Sequence, residues 1–248
     1  MPLLLGVNID HVATLRQVRY ARMPDSANAE PSPLVAGRDA MAGGADSLTL
    51  HVRGDRRHIQ DADALRIRAE IPLPLNFEMG VTGEMLALAL KLRPAYACFV
   101  PESREEITTE GGLDVRTSFA RIRMAVAQLQ DAGIRVSLFI DPDIPQVEAA
   151  AETRAEMIEL HTGCFANAIG GEVESELKRL VDAAAAGHAA ALQVNAGHGI
   201  NYQNLTRLWV VPHLAELNIG HSIVARALRV GMTAAVREIK DLMATYPG

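Results

Sequence analysis

The segment 47–59, SLTLHVRGDRRHI, changes character at its fifth residue. Over 47–51 hydroxyl and aliphatic side chains alternate, so Ser47, Thr49 and His51 share one face of an extended chain while Leu48 and Leu50 share the other. Beyond His51 come Arg53, Asp55, Arg56, Arg57 and His58, more charge than a solvated turn requires. The same parity recurs downstream. Asn76 and Glu78 oppose Leu75 and Phe77; Glu159 and His161 oppose Ile158 and Leu160; Gln193 and Asn195 oppose Leu192 and Val194; Glu216 and Asn218 oppose Leu217 and Ile219. Each of these segments has one aliphatic and one polar face.

Short apolar runs at 3–8, 47–51, 74–79, 95–100, 134–141, 157–162, 191–197 and 215–220 give eight candidate strands. Between them lie stretches of helical periodicity, among them GEMLALALKLRP behind Thr82 as N-cap, PQVEAAAETRAEM, EVESELKRLVDAAAAGHAA, and a final helix over 222–244. Regular alternation of strand and helix favours a parallel sheet. Eight units in 248 residues favour closure, so the expected fold is α/β, a single (β/α)8 TIM barrel with extra helices spanning 1–248. The aliphatic faces then pack on the helices, and the polar faces line the barrel interior, which branched apolar residues usually fill.

Composition narrows the function classes. A net charge of -6 argues against a general nucleic-acid or anionic-membrane binder, although a local basic cluster can still hold a phosphate. The two cysteines, Cys98 and Cys164, have no metal-ligand or disulfide-framework spacing, which predicts free thiols and a cytoplasmic address. The start MPLLLGVNIDH lacks a basic signal-peptide region, and no run of about 18 apolar residues is present for a membrane span.

Polar residues collect where the strands should end: Asn8, Asp10 and His11; His51 and Arg53; Glu78; Glu159; His198; Gly220 and His221. Barrel enzymes place their chemistry at that edge. NAGHGI (195–200) and NIGHSI (218–223) are near-copies, each read as a strand end, a Gly-His pair and a helix start, the elements of an anion cradle. Arg53, Arg56, Arg57 and His58 offer a second anion site, although Arg56 and Arg57 serve equally well as a solvated basic loop. Two anion sites on one polar pocket suggest two phosphorylated substrates and a condensation.

GVNIDHVATLR, HVRGDRRHI, NFEM, VPE followed by TTEGGLDV, IELHTG, VNAGHG and LNIGH together resemble, in order and from residue 6 to residue 221, the signature segments of the pyridoxine 5'-phosphate synthase family. The resemblance implies condensation of 1-deoxy-D-xylulose 5-phosphate with 3-amino-2-oxopropyl phosphate to pyridoxine 5'-phosphate, phosphate and water, with no metal or organic cofactor and an octameric assembly. It places the amino-ketone phosphate at Asn8, Arg19, Gly199, Gly220 and His221, and the deoxyxylulose phosphate at Asp10, His11, Arg53, His58 and Thr108. It makes His51 and Glu78 proton acceptors, His198 a proton donor, and Glu159 a stabiliser of charged transition states. The segment after Arg16, QVRYARMPDSANAEPSP, is longer than the family's usual one and leaves Arg22 as an alternative to Arg19.

Two further expectations follow. The run 101–114, with Gly111 and Gly112, reads as a lid, and the polar lumen reads as a hydrated path for product water. Competing classes are another phosphosugar lyase or isomerase, for which a strand-end lysine would speak, and a phosphometabolite-binding regulator, which would need no inward Glu78, Glu159 or His198.

Overall fold

The computed structural model describes residues 2–24, 26–102 and 111–247. Eight parallel strands close in sequence order into a barrel: β1 (Leu4–Asn8), β2 (Ser47–His51), β3 (Leu75–Met79), β4 (Tyr96–Phe99), β5 (Arg135–Ile140), β6 (Met157–His161), β7 (Gln193–Gly197) and β8 (Leu214–Ile219). Every expected strand is found within two residues of its expected bounds. Around them run α1 (Asp10–Tyr20), α2 (Pro33–Gly43), α3 (Asp61–Glu70), α4 (Gly83–Leu92), α5 (Phe119–Asp131), α6 (Ile144–Glu152), α7 (Gly163–Asn167), α8 (Glu172–Ala189), α9 (His221–Val230) and α10 (Met232–Met243). None of the described helices is long and apolar enough to cross a membrane.

Local chemistry sets the helix boundaries. Thr82 caps α4 by accepting from the Met85 N–H, as its position predicts, and Ser32 caps α2 in the same way with Pro33 at the first helical position. Two expectations need correction. The last helix is not continuous over 222–244, because Gly231 takes φ 83° and ψ 156°, a conformation open to glycine that breaks the run into α9 and α10. The loop after β7 does not open a helix either. Asn201 and Asn204 each accept the other's backbone N–H, and the turn they close leads into a 3-10 segment, Leu205–Val210.

The side-chain parity places the core. Leu5, Val7, Leu48, Leu50, Phe77, Leu138, Ile158, Leu160, Val194, Leu217 and Ile219 are all buried in the layer between barrel and helices. The opposite faces meet inside. Ser47 donates to Glu216 at 2.8 Å, Asn76 to Thr49 at 3.3 Å, Thr49 to Asn218 at 2.9 Å, and Asn218 to Glu159 at 2.6 Å. Buried polar groups are tolerable when paired in this way. At Gly6 a Cβ would stand 2.0 Å from Asn218 Oδ1, so β1 gives up a side chain to make room for the network. Cys98 of β4, Phe139 of β5 and Val100 just beyond β4 form a small separate apolar cluster.

Candidate active site

The C-terminal ends of the strands gather six of the chain's eight histidines in neighbouring pairs. His11 and His221 approach at 3.0 Å between Nδ1 atoms, His51 and His58 lie 6.0 Å apart by ring centroid, and His161 and His198 lie 5.1 Å apart. The remaining two, His188 and His213, stack on each other elsewhere, at 3.8 Å. Register explains part of the clustering, since β2 and β3 pair His51 with Glu78 at their last turns.

Asp10, the first residue of α1, ties the β1 and β2 ends together. It accepts from the His51 backbone N–H at 2.8 Å and from Asn8 Nδ2 at 2.9 Å, and Asn8 Nδ2 also reaches Glu78 Oε2 at 3.5 Å. Glu78 keeps part of its surface at the mouth, yet its carboxyl is raised well above the ordinary range, first by desolvation and then by the charges of Glu159 and Asp10. Glu159, fully inside, is pushed up to about 8, because desolvation and the nearby Glu216 outweigh the hydrogen bond from Asn218. Gly197 leaves space for it, for a Cβ there would stand 2.2 Å from Glu159 Oε1.

His198 follows β7 with φ 81°, an uncommon conformation for a residue with a side chain. Thr162 holds that backbone, donating to the carbonyls of Gly197 at 2.8 Å and His198 at 2.5 Å. Desolvation, then His161 and His11, brings His198 down to about 4. Ser222 Oγ donates to the Ile200 carbonyl at 2.7 Å, joining the two Gly-His loops. Gly199 (φ 79°) and Gly220 are both tight, with prospective Cβ atoms 2.5 Å from Ala166 Cβ and 3.0 Å from Asn8 Cβ.

The basic loop divides in two. Arg56 pairs with Asp61 and Glu84, and Arg57 with Asp55, so both serve the loop's own structure. Arg53 and His58 are buried instead. His58 Nδ1 accepts the Ile59 N–H at 2.8 Å, which leaves Nε2 as a donor suited to an anion. Arg16, which the sequence did not single out, is 3% exposed and forks onto Asp63 at 2.7 and 2.8 Å while donating to the His58 carbonyl at 3.3 Å.

The structure does not bring every expected residue together. Arg19 is exposed on the last turn of α1, with its guanidinium 5.7 Å from the Tyr20 ring centroid rather than among the imidazoles, and Arg22 is exposed just beyond. Thr108 and most of the expected lid fall in 103–110, outside the described residues. Sequence reasoning also passed over Glu102, which accepts from His51 Nε2 at 2.9 Å, Gly80 N–H at 3.2 Å and Gly54 N–H at 3.2 Å. Burial alone would raise its carboxyl, but the His51 hydrogen bond and charge, the Gly54 N–H and Arg53 hold it below the usual range. The clue was an acid placed directly after Pro101 at a strand end.

The sequence family described as pyridoxal phosphate biosynthesis protein PdxJ matches residues 5–245. The chain belongs to this family. A pyridoxine 5'-phosphate synthase of Akkermansia muciniphila is 64% identical over 240 residues, covering 96% of this chain and 98% of the relative. One from Opitutus terrae is 52% identical over 245 residues, covering 97% and 99%. Among solved structures, thiamine phosphate pyrophosphorylase from Pyrococcus furiosus aligns over 99% of this chain and 98% of its own with a TM-score of 0.63 at 13% identity, a likeness of fold alone. The PdxJ family assignment thus rests on sequence across nearly the whole barrel, including each strand end described above.

Proposed function

We infer that this chain is a pyridoxine 5'-phosphate synthase, a ring-forming condensing enzyme that joins 1-deoxy-D-xylulose 5-phosphate and 3-amino-2-oxopropyl phosphate to give pyridoxine 5'-phosphate, phosphate and water. The observation that supports the reading is that two groups of side chains suited to an anion gather with buried carboxyls at one end of the barrel. His11, His221 and Gly220 stand at the β1 and β8 ends, and Arg53 and His58 follow β2. Glu78 pairs in register with His51 and feels the charges of Glu159 and Asp10, while His51 neighbours His58 and His198 neighbours His161.

Imine formation, phosphate loss, dehydration and ring closure each move protons between carbon, nitrogen and oxygen, so several acid-base groups are required. Among the protein's own groups, burial makes the carboxyls of Glu78 and Glu159 favour their protons and His198 favour its neutral form. Substrates invert this. An ammonium near Glu78 and Glu159 stabilises carboxylates, and a phosphate dianion near His198 stabilises imidazolium. Binding thereby readies Glu78, with His51, as proton acceptors, His198 as donor, and Glu159 as the counter-charge for cationic intermediates. Asn8, Asp10, Gly199 and Thr108, with Arg19 or Arg22, complete the substrate contacts in this reading. The partners are two small phosphorylated molecules, with neither nucleic acid nor membrane involved. The free thiols Cys98 and Cys164 support a cytoplasmic setting, and the family resemblance suggests a homo-octamer.

Phosphate release with both substrates, against either alone, tests the activity. Release that requires both supports the condensation; release from one alone points to a lyase, and none at all to a binding protein.

A further inference from the structure

One buried imidazole at this mouth has no part in the scheme above. His161 ends β6, is 4% exposed, and gives its Nδ1 to Asp141 Oδ1 at 2.9 Å. The carboxylate fixes the ring's orientation and marks Nδ1 as the protonated nitrogen. Asp141 is itself held, because its Oδ1 also accepts the Gly112 N–H at 3.0 Å. Gly112 must be glycine for this, since a Cβ there would lie 2.0 Å from the Asp141 backbone nitrogen. On its other side His161 packs between Phe139, at 5.2 Å by ring centroid, and His198, at 5.1 Å. Its Nε2 is buried and has no hydrogen-bond partner among the described residues.

Gly163 lies between the two imidazoles. A Cβ at that position would stand 2.3 Å from His161 Nε2 and 3.0 Å from His198 Cδ2, so only glycine lets the rings approach as they do. An imidazole bound by a carboxylate and wedged against a second imidazole has little to offer as packing alone, because an apolar ring would fill the same space without burying an unpaired nitrogen.

We propose that Asp141 and His161 are positioning residues for His198, forming a carboxylate–imidazole–imidazole row that holds the His198 ring in place and sets the pH at which it takes up a proton. The proposal rests on the reading of His198 as the proton donor of the condensation. Among the described residues, the titratable groups that face His198 are His161 from β6 and His11 from α1. Asp141 stands behind His161 with Arg179 of α8 near it, and Asp10 and His221 flank His11. Within that set, His161 and His11 both oppose a charge on His198, so loss of the His161 imidazole makes His198 easier to protonate.

The test is a pH titration of the full-length protein labelled with nitrogen-15 in histidine, followed by NMR. His198→Ala assigns the His198 signal, and the variants are His161→Phe and Asp141→Asn. His161→Phe keeps an aromatic ring against His198 and removes both nitrogens, so the His198 midpoint is expected to move to higher pH. Asp141→Asn alters a side chain that is 39% exposed and therefore tolerant; the His161 signals are expected to lose their single tautomer and the His198 midpoint to move. Turnover in both should fall about ten- to hundredfold, with kcat affected more than KM. An unchanged His198 midpoint in both variants overturns the proposal. The titration requires no reaction, so a failure of the condensation reading would appear separately, as absent phosphate release from the unmodified protein.

Discussion

Asn218 Nδ2 donates to Glu159 Oε2 at 2.6 Å, and this bond joins the polar interior of the barrel to the buried carboxyls near its mouth. Because Asn218 also accepts from Thr49, its amide cannot turn away from Glu159 without abandoning the lumen network. The bond favours the Glu159 carboxylate against desolvation. Asn218→Leu removes that support, so ionisation of Glu159 should require higher pH. The alkaline shift should appear in the ascending limb of the kcat profile, with turnover near neutrality about tenfold lower.

The same carboxyl makes fold stability depend on pH. Glu159 stays protonated in the fold up to about 8 but ionises near its ordinary value of 4.5 once unfolded, so between those values the folded state binds more protons. Stability fully present below 4.5 is therefore lost as pH rises to about 8, and Glu78 acts in the same direction. Glu159→Gln cannot ionise. Thermal melts should show a smaller decline in Tm across this interval than in the unmodified protein.

His198→Ala should slow turnover by about 10^2 to 10^4, the range for losing a positioned acid or base, while leaving phosphate binding nearly unchanged. Gly199→Ala and Gly220→Ala should do the reverse, weakening binding first, because their side chains would press on Ala166 and Asn8 at the anion loops. Steady-state kinetics separates the cases. A near-normal kcat for His198→Ala would remove that imidazole from the mechanism.

The barrel and much of its mouth were legible because period-two alternation depends only on local order. Ser47, Thr49 and His51 had to share a face once 47–51 was extended. What escaped were relations set by tertiary placement. Nothing near Arg16 announces Asp63, 47 residues away, and nothing near His161 announces Asp141 across the β5–β6 pair. Glycine was read for anion approach at 199 and 220, whereas Gly231 uses its freedom to end a helix and Gly163 its lack of a side chain to let two imidazoles meet.

Arg16 should prove structural. Its guanidinium is buried on Asp63 and the His58 carbonyl, so Arg16→Met leaves the partly buried Asp63 carboxylate without its counter-charge, held only by the Gln60 N–H, and should cost about 3 kcal/mol. Affinity for deoxyxylulose phosphate should fall with it, through His58. Denaturant melts and substrate titration together check both effects, and a loss of stability with unaltered affinity would detach Arg16 from the anion site.

In the proposed reading the condensation releases water at the upper end of the polar lumen, and the side chains there already bond to one another from Asn76 through Thr49 and Asn218 to Glu159. Below them Asn76, Tyr96, Ser137, Met157, Asn195 and Glu216 line a small cavity too narrow for a water-sized sphere. Asn76 donates to Thr49 and leaves its Oδ1 without a hydrogen-bond partner among the described residues. A buried acceptor left so is costly, whereas a modest rotation of Tyr96 or Met157 would admit water to it. A high-resolution crystal structure is therefore expected to show ordered water bonded to Asn76 and Glu216, continuing towards the N-terminal face. Asn76→Leu should remove that water and slow product formation more than substrate binding. A structure in which the lumen below Glu159 is filled by side chains alone would make the network a packing device and leave the acid-base assignments at the mouth intact.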